Sequence, residues 1–144
     1  MAMAAPSELP PEVGYNKGEQ ETPRSLAMGG ALRALSNSTE ALYLNPANMA
    51  TSRVYHLAGA AQIWPQARRQ TYGGAAVDSV VNRARIAGGV AVNWTKQDAD
   101  GLDRGAVDFR FGLGLPLSDQ LFVGGAARYL TLTQDGFDRT FGLR

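Results

Sequence analysis

The chain has no cysteine, which excludes disulfides, thiolate metal sites and a cysteine nucleophile together. One histidine, His56, leaves no second imidazole for a histidine-based metal cluster, so no metal or other cofactor is expected. Lys+Arg 14 against Asp+Glu 13 leaves a net charge of +1, too little to drive binding to nucleic acid or to an acidic membrane surface. No run reaches the ~18 apolar residues of a membrane-spanning helix. The opening stretch lacks the apolar core of a secretory leader, although Ala2-Met3-Ala4 has the small-residue spacing at which one ends. A Ser/His/Asp nucleophile elbow and a phosphate loop ending in GK[ST] are both missing, so no residue is assigned a catalytic role and no enzyme is expected.

Glycine, by contrast, is plentiful: 17 of 144 residues, against a usual ~7%. Residues 1–21 are polar and rich in Pro and Glu, and are expected to form a disordered arm. Residues 22–52 contain short Ala-Leu stretches suited to helical turns. Ser36-Asn37-Ser38-Thr39-Glu40 supplies capping chemistry between them, and Pro46 stops any helix at Asn45. From residue 53 to 144 the period changes to two. In GAVDFRFGLGLPL (105–117) the odd positions Val107, Phe109, Phe111, Leu113 and Leu115 are all apolar. The even positions hold Asp108, Arg110 and small residues. Residues 83–95 repeat this, with Val90, Val92 and Trp94 opposite Arg83, Arg85 and Asn93. Residues 121–131, 54–64 and 68–78 follow less cleanly. The expected fold is all-β with a short helical N-terminal segment: an antiparallel up-and-down meander of five strands and the start of a sixth at Thr140–Arg144. Short turns are expected around 78–82 and 116–120, with longer polar loops at 96–104 and 134–139.

Periodicity alone fits a soluble β-sandwich as well as a membrane barrel. Strands of about 10–13 residues suit the apolar band of an outer membrane once tilted. Tyr55, Trp64, Trp94 and Tyr129 fall near strand ends, as an interfacial girdle requires. Arg83, Arg85, Asp108, Arg110 and Arg128 share the opposite face, where a wet lumen or a solvated surface would hold them and a dry sandwich would not. Asp98, Asp100 and Asp103 alternate like a calcium loop but lack the distal glutamate, which leaves an exposed acidic loop. Arg68-Arg69 suit either lipopolysaccharide phosphates or a solvated turn.

The segment Pro23–Ala50, PRSLAMGGALRALSNSTEALYLNPANMA, resembles the start of outer-membrane barrels of the FadL/TodX type, the hydrophobic-compound channels, and of the related PorV-like barrels. The matching residues are Met28-Gly29-Gly30-Ala31, Ala41-Leu42-Tyr43 and Asn45-Pro46-Ala47, and the glycine-rich hairpin of 112–130 looks like the family's own. The resemblance implies a transmembrane β-barrel in the bacterial outer membrane. Its plug would lie inside the lumen near the periplasmic mouth, with Gly29, Gly30, Asn45, Pro46 and Ala47 as gating candidates. Membrane lipid and a hydrophobic small molecule are the implied partners, with long-chain fatty acids as the model ligand. A PorV-like secretion or partner-docking role and a soluble β-sheet binding module are the alternatives. Five or six strands cannot close around a lumen, since even eight leave an interior only just filled by side chains. The sequence is therefore expected to be the N-terminal part of a longer barrel, or to pair its open edges with further copies or a partner chain.

Overall fold

The computed structural model describes residues 24, 27, 28, 34–66, 68–80, 85–99, 102–134 and 137–143. The expected arm at 1–21 and the glycines Gly29 and Gly30 lie outside them, as does Arg83. A short helix α1 (Ser38–Leu44) runs into a 3-10 helix (Pro46–Ala50). Six strands follow: β1 (Tyr55–Trp64), β2 (Arg69–Asp78), β3 (Ala87–Ala99), β4 (Leu102–Pro116), β5 (Phe122–Gln134) and β6 (Phe137–Leu143). Every strand pairs antiparallel with the next, in the order β1-β2-β3-β4-β5-β6, so the meander is an open sheet whose edges are β1 and β6.

The helical segment breaks where its chemistry dictates. Asn45, held before a proline, is extended at φ −156° and ψ 94°. Its N–H still closes α1 on the Ala41 carbonyl at 2.9 Å, and its own carbonyl accepts from Asn48 at 3.0 Å. Pro46 then occupies the first position of the 3-10 helix, where a missing N–H costs nothing. The expected capping works differently: Asn37 is the N-cap but makes no side-chain cap bond. Ser38 takes φ 55°, a left-handed conformation, and its hydroxyl bonds His56 Nδ1 on β1.

Two expected loops are strand instead. The ladder of β3 and β4 continues through Lys96↔Gly105 and Asp98↔Asp103 to Ala99↔Leu102, and that of β5 and β6 through Gln134↔Phe137. Charge had marked KQDADGLDR as a loop, but an exposed ladder accommodates charge where it is paired. Lys96 lies 3.7 Å from Asp103, and Arg68 lies 4.0 Å from Asp98, which offsets the two facing aspartates. The longer connections, 79–86 and 117–121, therefore lie at the end where short turns were expected. β3 also begins late: Arg85, at φ 58°, precedes it.

The sheet has two unlike faces. Leu57, Val90, Val92, Phe109, Phe111 and Leu113 stand on one, each between 44% and 63% exposed. The other face is lined by small residues and is covered by the helical segment. Leu42 and Met49 are 1% and 0% exposed, and pack with Ala41 and Ala50 against Ala75, Val77, Ala87 and Ala91. Full burial of two such side chains contributes about 3–6 kcal/mol. Most of the sheet's large apolar side chains thus point away from the core, with Phe122, packed against it, an exception.

Candidate functional site: the helical segment on the inner face

The inner face accepts the helical segment because glycine removes the side chains that would obstruct it. Gly114 on β4 pairs directly with Gly124 on β5. A β-carbon at Gly114 would lie 2.7 Å from the Pro46 carbonyl oxygen, and one at Gly124 would lie 2.5 Å from the Pro46 carbonyl carbon and 2.7 Å from Ala47 Cα. One at Gly112 would strike Leu42 Cδ1 at 2.5 Å, and one at Gly89 would press on Met49 and Val77 at 3.0 Å. Pro46-Ala47 therefore sits backbone-first on a saddle of glycines, the close approach for which glycine is suited. Asn48 ties the segment to itself: its Nδ2 donates to the Ala34 carbonyl at 3.1 Å and to Ser36 Oγ at 3.4 Å.

Next to the saddle lies a charged cluster. The register places Arg110 directly opposite Arg128, an unfavourable pairing of like charges on its own. Asp108, two residues along β4 on the same face, bridges them. Arg110 donates from Nε and Nη2 at 3.3 Å each, and Arg128 donates from Nε at 3.0 Å with its Nη2 2.8 Å from the same carboxylate. Asp108 is buried, at 4% exposure. The guanidinium of Arg110 also stacks 5.0 Å over the ring of Tyr43, so this cluster touches α1. Tyr43 and Asn93 complete it, with Asn93 Nδ2 donating to the tyrosine hydroxyl at 3.2 Å. Burial pushes the Tyr43 hydroxyl above its ordinary 10.0, against the opposing pull of the Asn93 bond and the Arg110 charge.

The sequence-derived candidates separate accordingly. Asp108, Arg110 and Arg128 share the inner face and meet. Arg85 precedes β3, half exposed, 3.9 Å from Asp119. Among the aromatics, Tyr55, Trp94 and Tyr129 stand on the outer face and are exposed. Trp64 does not join them: it alternates with outward Ile63, and its ring takes the Arg69 guanidinium 5.0 Å above it on the inner side. The glycine saddle, Tyr43, Asn93 and Asn48 were missed as site residues. The signal for the saddle was the glycine at alternate positions 112 and 114 and again at 124, all on the face opposite the large apolar residues.

Among the described residues no group of three or more His, Cys, Asp or Glu side chains lies close enough together to hold a metal ion. No helix among them is long and apolar enough to cross a membrane, which says nothing about crossing with strands. Comparisons with protein families, with curated proteins and with solved structures return no match to this chain.

Proposed function

We propose that this chain forms a plug-bearing wall of an outer-membrane β-barrel that passively admits hydrophobic compounds, as its resemblance to the FadL/TodX type implies. The observation that carries the reading is the inverted arrangement of the sheet. Its small residues and the Asp108, Arg110 and Arg128 cluster lie on the face that carries the helical segment, while Val92, Phe109 and Phe111 face outward and are 50%, 46% and 44% exposed. Water would penalise so broad an apolar face, whereas acyl chains would not. Strand length agrees: the 13 residues of β3 and the 15 of β4 run about 43–50 Å at ~3.3 Å per residue. Further strands, or further copies, would pair the edges of β1 and β6.

A PorV-like role in docking a secretion partner is the second reading, and the fit of Pro46 and Ala47 on the glycines favours it, because a wedge seated on backbone is a poor gate. Two measurements separate the possibilities. The chain is expected to need detergent or lipid to stay folded and monodisperse; a folded monomer in plain buffer overturns both barrel readings and leaves a soluble β-sheet module. If the barrel stands, uptake of a long-chain fatty acid by cells carrying the full-length protein supports the channel, and absence of uptake supports the docking role.

A further inference from the structure

We infer that the end of the β1–β2 hairpin, on the outer face, docks the phosphorylated saccharide head group of an outer-leaflet glycolipid, held chiefly by Arg68 and Lys96. The site rests on the membrane reading of that face. It is a contact with the bilayer's own lipid, separate from anything a lumen would admit.

The Arg68 N–H donates to the Pro65 carbonyl at 3.2 Å and closes the turn of this hairpin. Arg68 does so at φ 44°, in the left-handed region where glycine is at ease and an arginine is strained. Its carbonyl accepts from the Asp98 N–H at 3.1 Å, which ties the residue to β3. A cavity of about 530 Å3 opens here, with Trp64, Arg68, Arg69, Gln70, Lys96 and Asp98 in its lining. That volume falls within the ~300–1,000 Å3 of ligand sites. Three of these residues are cations and one is an acid. Asp103, opposite Asp98 on the ladder, is a second acid beside them. The pairs that occupy the cations are loose: 4.0 Å for Arg68 with Asp98 and 3.7 Å for Lys96 with Asp103, every partner more than half exposed. Such pairs hold little, whereas a phosphate meets a guanidinium in two-point fashion and an ammonium as a point charge. Arg69, 5.0 Å over the Trp64 ring, adds a fixed charge behind them.

Position selects the lipid. Gln70 pairs with Lys96 one outer-face rung beyond the pair Tyr72 and Trp94, which are 46% and 63% exposed. The face thus turns from aromatic to charged within two residues, as it does where an apolar band meets head groups. On the same face a shallow groove of about 330 Å3 runs between Leu57 and Val92 over Gly74 and Ala76, a seat for an acyl chain below the head group. The hairpin lies at the end of the sheet opposite the helical segment, which packs at Val77 and Ala87. With that segment toward the periplasm, the hairpin meets the outer leaflet, whose head groups are phosphorylated saccharides. A free phosphate would leave the groove empty, and a phospholipid would bring a single phosphate to the cations.

The test is calorimetric titration of the full chain, in nonionic-detergent micelles, with lipid A bearing two phosphates, with phosphatidylglycerol and with inorganic pyrophosphate. Lipid A is expected to bind about tenfold or more tightly than either of the others. Arg68→Gly is the decisive variant: it relieves the φ 44° turn and should raise the unfolding temperature while weakening lipid A binding about tenfold. Lys96→Gln should also weaken it. Asp98→Asn removes a competing anion and should tighten lipid A several-fold, a gain that misfolding cannot produce. Phosphatidylglycerol binding as tightly makes the site a general contact for anionic lipid, and pyrophosphate binding as tightly makes it a soluble-phosphate site; either overturns the glycolipid assignment. Lipid A binding unchanged by Arg68→Gly overturns the site itself. A chain that needs detergent yet shows no preference for lipid A loses the site alone. A chain folded and monomeric in plain buffer loses the membrane reading, and the glycolipid site with it.

Discussion

Gly114 and Gly124 face each other across β4 and β5, and the backbone of Pro46 and Ala47 rests on the gap between them. The relationship explains how strands can spend glycine where it weakens them. A glycine in a strand interior forfeits packing and costs backbone entropy, but here the missing β-carbons let the helical segment reach the sheet, where Leu42 and Met49 then build the core.

Gly124→Ala is therefore expected to destabilise the fold by about 1–3 kcal/mol, the range for overpacking, because the new methyl meets Pro46 and Ala47 backbone rather than a flexible side chain. Gly125→Ala, one residue on and facing outward, meets nothing within 4 Å and should be neutral or slightly stabilising. Thermal unfolding of the two variants side by side checks the contrast; equal losses would mean the saddle does not bear on Pro46.

How much of this was legible follows from individual residues. The alternation of Val107 to Leu115 against Asp108 to Gly114 gave β4 and its two faces directly, since one side is wholly apolar. Lys96 to Arg104 was misread because propensity treats charge as a loop signal, while the cross-strand ladder and the ion pair of Lys96 with Asp103 extend both strands. Trp64 was misplaced because its position at a strand end outweighed its parity; counting by twos from Ile63 puts it on the inner face. The grouping of Asp108, Arg110 and Arg128 needed the β4–β5 register, which a single sequence does not specify. The contact of Arg110 with Tyr43 needed the position of α1.

Asp108→Ala should cost more than any surface ion pair, about 3–5 kcal/mol, the range for removing one partner of a buried pair. It leaves Arg110 and Arg128 opposed with their bridging carboxylate gone. Chemical denaturation with and without Arg128→Gln in the same chain isolates the coupling. The double variant should recover part of the loss, because one of the two facing charges has gone.

Tyr43 supplies a pH dependence of known sign. Its hydroxyl is held above 10.0 in the folded state by burial, so above pH 10 the unfolded chain gives up that proton first. The contribution is fully present below pH 10 and is lost as pH rises through the folded-state value. Tyr43→Phe should abolish this alkaline decline and, by deleting the bond with Asn93 at 3.2 Å, cost about 1 kcal/mol at neutral pH. Denaturation midpoints from pH 8 to 11 for both proteins measure it, and an unchanged alkaline slope would place the ionisation elsewhere.

The solvent of the outer face is decided by one charge. Phe111 is 44% exposed and sits between Phe109 and Leu113 on β4, away from the helical segment. Arginine there would cost about 2–4 kcal/mol at the middle of a bilayer, and close to nothing in water, where a surface substitution usually stays within about 0.5 kcal/mol. Arg110, one residue earlier, faces inward beside Asp108, so Arg110→Gln serves as the same-strand comparison on the opposite side. If acyl chains cover the outer face, Phe111→Arg lowers stability in lipid bilayers by the larger figure and does not make the chain soluble. A Phe111→Arg variant as stable as the parent and more soluble in plain buffer would put water against that face, and the barrel reading would fall with it.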